Sequence, residues 1–132
     1  MRSKTLIALF MVAIALSGVF GYRKTVNADN DKYYYSFYNV NSSGNTAGKA
    51  KTTNRKVYIH QVSGPPTKYT VQGSTSGTTW NNRSSQILIY SETSVRVLNT
   101  VHEHNEGLAR LHIVRTGYAL AYTKGYWNPD PS

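Results

Sequence analysis

Lys56-Val57-Tyr58-Ile59-His60-Gln61-Val62 alternates along its length. Successive side chains of an extended chain point to opposite faces, so Val57 and Ile59 share one face while Tyr58, His60 and Val62 share the other. A strand of this kind is half-buried, and one of the two faces must meet a core. Ser63, Gly64, Pro65 and Pro66 end the run, because two prolines remove backbone donors and fix φ. Thr67–Gln72 resumes it.

Upstream, Tyr33–Val40 reads Tyr-Tyr-Tyr-Ser-Phe-Tyr-Asn-Val, aromatic and β-favouring over the length of one strand. Asn41–Asn45 is a turn, with Gly44 able to take a positive φ. Thr46–Thr53 is a thinly apolar strand at an edge, where Lys49 and Lys51 discourage further pairing. Downstream, Gly73–Thr78 is a loop of small residues, and Trp80, Asn81 and Asn82 lead into a strand over Gln86–Tyr90. Val95–Val101, Leu108–Val114 and Ala119–Thr123 complete the set. A helix needs apolar residues at i, i+3, i+4 and i+7, and the nearest attempt, His102–Ile113, is interrupted by Gly107. Short strands separated by turn signals about every 8–12 residues predict an all-β fold, a single antiparallel β-sandwich or a small barrel.

Ahead of that domain stands a different kind of sequence. Arg2 and Lys4 precede an apolar stretch from Thr5 to Leu16, continued more weakly to Phe20. A basic start followed by a short apolar helix is the build of a secretory signal. Val26-Asn27-Ala28 offers small side chains at the positions signal peptidase requires, which places the cut before Asp29; earlier sites near Gly18 or Gly21 are alternatives. A membrane span needs about 20 consecutive apolar residues. The run here is shorter and bounded by charge on both sides. Residues 1–28 are therefore expected to leave as a signal peptide, with 29–132 as one exported domain and no stable membrane insertion after cleavage.

The chain contains no cysteine, so no lipobox thiol can be acylated and no disulfide can form. An exported domain without disulfides points to a bacterium, and to a Gram-positive one, where their extracellular use is sparse. Arg2, Lys4, Arg23 and Lys24 depart with the leader, so the 15 basic residues fall to 11 against 6 acidic ones, a net charge of +5. A protein of that charge is drawn to anionic surfaces such as teichoic acids, lipid headgroups or acidic polysaccharides. The basic residues form no dense cluster beyond Arg55 and Lys56, which argues against nucleic acid.

Catalytic constellations are thin. His102, His104 and Glu106 would project to one side of an extended segment, and two imidazoles with a carboxylate can hold a divalent metal. Asn105, Glu106 and Gly107 read as a turn that breaks such a run, so these three are solvated residues in the simpler reading. Gly73-Ser74-Thr75-Ser76-Gly77 has Thr where a nucleophile elbow needs Ser, and no helix follows it. Asp29, Asp31 and Asp130 lie at the ends of the exported domain, away from any catalytic triad. A non-enzymatic protein without cofactor is expected, with a metal-dependent enzyme as the distant alternative. The aromatic content is the more informative feature: 11 Tyr and 2 Trp exceed what one small core needs. Exposed tyrosines suit binding surfaces because each joins an apolar ring to a polar tip. Trp80, Asn81, Asn82, Tyr126 and Trp127, in loop-like contexts, are the candidate contact residues.

Several short stretches together resemble a family of small secreted Gram-positive proteins, a domain of unknown function. They are Ala28-Asp29-Asn30, Thr46–Lys51, Trp80-Asn81-Asn82, Asn99-Thr100-Val101 with Glu103, Ala109-Arg110-Leu111, and Gly125–Asp130. The resemblance spans the exported domain and implies secretion without implying catalytic residues. In that family an aromatic often stands at the position of His102, which argues against a shared metal role. In size, export and β-content the chain is also similar to lactococcin-type bacteriocins, a likeness that implies action on the cell envelope. The expected function is thus a bacteriocin-like or envelope-binding protein. The alternative is a cell-surface module that binds another protein.

Overall fold

The computed structural model describes residues 30–132. The expected leader over 1–28 lies outside the described residues. Among the described residues ten strands follow in chain order: β1 Tyr33–Tyr38, β2 Ser43–Asn45, β3 Lys49–Ala50, β4 Val57–Ser63, β5 Thr67–Ser74, β6 Asn81–Asn82, β7 Ile87–Ile89, β8 Thr93–Val97, β9 Leu108–Arg115 and β10 Tyr122–Asn128. They form two antiparallel sheets. One has the order β8-β4-β10-β1; the other has β2-β9-β5-β6, with β3 also on β9 and β7 also on β5. The sheets pack face to face, so the fold is a β-sandwich.

The alternation at Val57 and Ile59 decides which face is inside. Both are fully buried, and they join Tyr35, Phe37 and Trp127 from their own sheet and Tyr69, Val71, Leu111 and Ile113 from the other in one core. Buried polar groups between the sheets bond one another, as burial requires. Tyr35 Oη lies 2.7 Å from Tyr69 Oη, which donates to Gln61 Oε1 at 2.9 Å. Gln61 Nε2 in turn donates to the Pro65 carbonyl at 2.8 Å. Burial, and then the neighbouring Tyr69, push the Tyr35 hydroxyl well above its ordinary value, so it stays neutral and available as a donor.

Several local expectations change, among them the last strand, which runs over Tyr122–Asn128 and not Ala119–Thr123. Thr67–Gln72 does not continue β4 in the same sheet. β5 belongs to the opposite sheet, and the chain changes layer at Gly64-Pro65-Pro66. Gly64 sits at φ +108°, and a Cβ there would stand 2.6 Å from the Tyr122 carbonyl oxygen, so the corner requires glycine. The turn expected over Asn41–Asn45 is displaced toward Asn39–Ser42, because Ser43–Asn45 pairs with β9 as β2. The strand expected over Thr46–Thr53 contracts to Lys49–Ala50. It lies at an edge, but Lys51 is no solvated guard: its ammonium is buried and pairs with Asp130 at 2.8 Å.

Candidate functional site

The two sheets part company along one flank. β1 is the last strand of its sheet and β2 the last of the other. Between them runs a cleft of about 580 Å³, lined along its length by β1 and on the far side by Gly44, Asn45, Thr46, Ala47 and Ile113. Residues 33, 35 and 37 point inward by strand alternation, so the cleft has an aromatic wall. At one end the Tyr33 ring lies 5.9 Å from the Trp127 ring. The Lys49 ammonium sits 4.7 Å from the Tyr33 ring centroid and that of Lys32 sits 5.3 Å away. Among the described residues the carboxylates of Asp130 and Glu106 pair with Lys51 and Arg83, and Asp31 lies 3.1 Å from His60 Nδ1, leaving Lys32 and Lys49 without a carboxylate partner there.

The outer face of the same sheet carries further tyrosines. Tyr34 meets Tyr126 edge-on at 5.6 Å, and Tyr38 stacks on Tyr122 at 4.6 Å. Between the two pairs stands Ser36 opposite Lys124, whose ammonium is 5.3 Å from the Tyr122 ring. Tyr34 and Tyr122 are more than half exposed, at 58% and 52%. The result is a surface of rings interrupted by one cation. Next to it, Tyr118 and Leu120 stand out from the loop before β10.

The candidate contact residues do not gather in one place. Tyr126 belongs to the tyrosine face just described. Trp80 and Asn82 lie on the outer face of the opposite sheet, where the Arg110 guanidinium is 4.4 Å from the Trp80 ring. Arg110 Nε donates to Gln72 Oε1, and Gln72 Nε2 to Asn82 Oδ1, so this row is satisfied internally. Asn81 donates to Glu106 Oε2 at 3.2 Å. Trp127 corrects the loop-like reading: it is in β10, is 1% exposed and belongs to the core. Alternation of Thr123, Gly125 and Trp127 was the signal for this, obscured by the adjoining Asn and Pro.

The possible ligand set of His102, His104 and Glu106 is not assembled either. His102–His104 is a 3₁₀ turn closed by Asn105 at φ 56°, rather than an extended run. Both imidazoles face solvent, while Glu106 turns inward and is 5% exposed. Its carboxylate accepts from Arg83 Nε at 2.8 Å and from Arg83 Nη2 at 3.0 Å, a two-point pairing. That hydrogen bonding from Arg83 holds the Glu106 carboxyl below its ordinary value, against the opposing effect of burial. Gly73 provides the room, since a Cβ there would collide with Glu106 Oε1. The carboxylate is a structural post, and among the described residues no group of three or more His, Asp or Glu is placed to hold a metal.

What sequence reasoning missed is the Lys32–Tyr33–Lys49 grouping. Lys32 and Tyr33 are adjacent, but Lys49 arrives through the chain reversal between β1 and β3. No family model matches the chain, and no curated protein matches it. Among solved structures the chain is similar to one titled crystal structure of PirA, with 12% identity, a TM-score of 0.48, and coverage of 74% of this chain and 94% of that one.

Proposed function

We propose that the protein is exported and acts without catalysis, binding anionic glycopolymers of a Gram-positive cell envelope in the manner expected of a bacteriocin-like protein. The observation that carries this reading is the Tyr33 ring at one end of an aromatic cleft, with the Lys49 and Lys32 ammonium groups 4.7 and 5.3 Å from its centroid. A sugar ring can lie on a tyrosine face while a phosphate or carboxylate on the same polymer meets the lysines. The exposed rings of Tyr34, Tyr38 and Tyr122, with Lys124, extend the same chemistry over a neighbouring surface. A polymer of repeating units can engage both.

The test is co-sedimentation of the mature protein with purified Gram-positive walls, before and after extraction of their anionic polymers. Binding is expected to fall on extraction and with rising salt. A cation beside an anionic surface contributes about 1 kcal/mol, so Lys32→Gln with Lys49→Gln should weaken binding about 30-fold. Equal binding to extracted walls would refute the proposal. A second reading, a surface module that docks a protein partner, is favoured by the exposed Tyr118 and Leu120, which are 84% and 65% accessible. Pull-down of one surface protein, lost on Tyr118→Ser with Leu120→Ser, would support that reading instead.

A further inference from the structure

We propose that two copies of this protein pair through β1, edge to edge and antiparallel about a two-fold axis at Ser36, joining their tyrosine-bearing sheets into one.

The direction of the free backbone groups follows from the ladder on the other side of β1. The Asn39 N–H donates to the Ala121 carbonyl at 3.1 Å, continuing the register in which Tyr38 faces Tyr122. Hydrogen-bonded and non-bonded pairs alternate along an antiparallel ladder. Tyr33, Tyr35 and Phe37 therefore bond to β10, and the N–H and C=O groups of Tyr34, Ser36 and Tyr38 point to the free edge. The Tyr38 carbonyl accepts the Asn41 N–H of the following turn, which agrees with that direction.

Free edges are ordinarily guarded by charge, proline or brevity. β8, the other edge of the same sheet, carries Arg96; β2 has three residues and β6 has two. β1 has none of these protections. Its six residues, Tyr33–Tyr38, contain no charge and no proline.

A second copy is the occupant that suits this edge, because the edge is complementary to itself. Antiparallel pairing about Ser36 sets Ser36 opposite Ser36 of the second copy and Tyr34 opposite its Tyr38. Ser36 then pairs with its copy through both backbone groups, and the Tyr38 N–H meets the Tyr34 carbonyl of the second copy, while the Tyr38 carbonyl keeps its bond from Asn41. Faces are preserved by the two-fold axis, so the Tyr126–Tyr34 row of one copy runs on into Tyr38 and Tyr122 of the other. Charges are kept apart. Lys32 falls opposite Val40 of the second copy, and the two Lys124 residues are separated by three strand spacings, about 14 Å, beyond the screening length of about 8 Å at physiological ionic strength. Two cationic copies still repel at long range, so pairing is expected to strengthen with salt while envelope binding weakens. That opposite dependence separates failure of this inference from failure of the functional reading.

Sedimentation velocity over a concentration series tests the pairing, with Ser36→Lys as the disrupting variant and Ser36→Cys and Ser94→Cys as cross-linking reporters. Ser36 is exposed, so neither of its substitutions disturbs the core. In the chain's cysteine-free background, Ser36→Cys brings two thiols together at a Cα separation of about 5.5 Å, within disulfide reach. Ser94, exposed on β8, is at the far edge. The wild type should reach a dimer, and Ser36→Lys should remain a monomer with unchanged melting. Ser36→Cys should cross-link about tenfold faster than Ser94→Cys, or more. A wild type that is monomeric throughout, a dimer that survives Ser36→Lys, or equal cross-linking rates would overturn the inference.

Discussion

Gly125→Ala should cost the domain a large part of its stability. A Cβ at this position would collide with the His60 carbonyl oxygen and stand 2.7 Å from Tyr35 Oη. Neither neighbour can withdraw. His60 lies in β4, held in register by β8 on one side and β10 on the other, and Gly125 itself marks the bulge where the β10–β4 register shifts. Tyr35 Oη is held by Tyr69 at 2.7 Å within the buried polar network. Relief of the overlap would therefore break a ladder or orphan a buried hydroxyl, and both are expensive. The expected destabilisation is about 3 kcal/mol or more, against a total of about 5–15 kcal/mol for a domain of ordinary stability. Thermal unfolding followed by circular dichroism should fall by about 15 °C. A midpoint within a few degrees of the wild type would show that the two sheets are less rigidly placed than described.

Asp130→Asn should have a comparable effect for a different reason. The Asp130 carboxylate accepts from Lys51 Nζ at 2.8 Å, from the Thr52 and Thr53 N–H groups at 2.7 and 3.1 Å, and from the Thr53 hydroxyl at 2.7 Å. Lys51 has no exposed side-chain surface, and its remaining bonds go to the carbonyls of Thr53 and Arg55. The pair links the tail after β10 to the segment after β3, and so ties one sheet to the other. Removing one charge leaves an enclosed ammonium without its counter-ion, which typically costs about 3–5 kcal/mol. The pH dependence has a definite sign. Burial alone would raise the Asp130 carboxyl, but the hydrogen bonds from Lys51, Thr53 and Thr52 outweigh it and hold the group well below its ordinary value. A carboxyl depressed in the folded state adds stability that is complete above its unfolded value, about 3.9, and lost as the pH falls toward the folded one. Denaturant titrations should show the wild type far more stable at neutral pH, with the gap to Asp130→Asn narrowing in acid. A gap independent of pH would mean that the charge is not what the fold depends on.

The fold class was legible because strand alternation is local. Val57 and Ile59 announced their buried face, and the octet Tyr33–Val40 announced a strand. The features that remained hidden depend on partners far away in the chain. Lys51 looks like an edge guard until Asp130 is placed beside it, 79 positions on. The two prolines after β4 mark an end to the strand, but nothing near them states that β5 leaves for the other sheet. Trp127, beside Asn128 and Pro129, has the neighbours of a loop residue and the alternation of a strand residue, and burial follows the alternation. Of the candidate contact residues, Trp127 closes one end of the aromatic cleft from the core side and Tyr126 falls on the adjoining face, while Trp80, Asn81 and Asn82 lie elsewhere. The lysines at that cleft were unremarkable in sequence because their grouping is produced by the chain reversal after β1.

Titration of isotopically labelled mature protein with purified teichoic acid, read residue by residue through amide chemical shifts, tests the functional account most directly. Saturable shifts concentrated at Lys32, Tyr33 and Lys49, spreading to Tyr34 and Tyr122 and disappearing at high salt, are the result expected. Shifts confined to the Trp80–Arg110 face, or none at any polymer concentration, would contradict it.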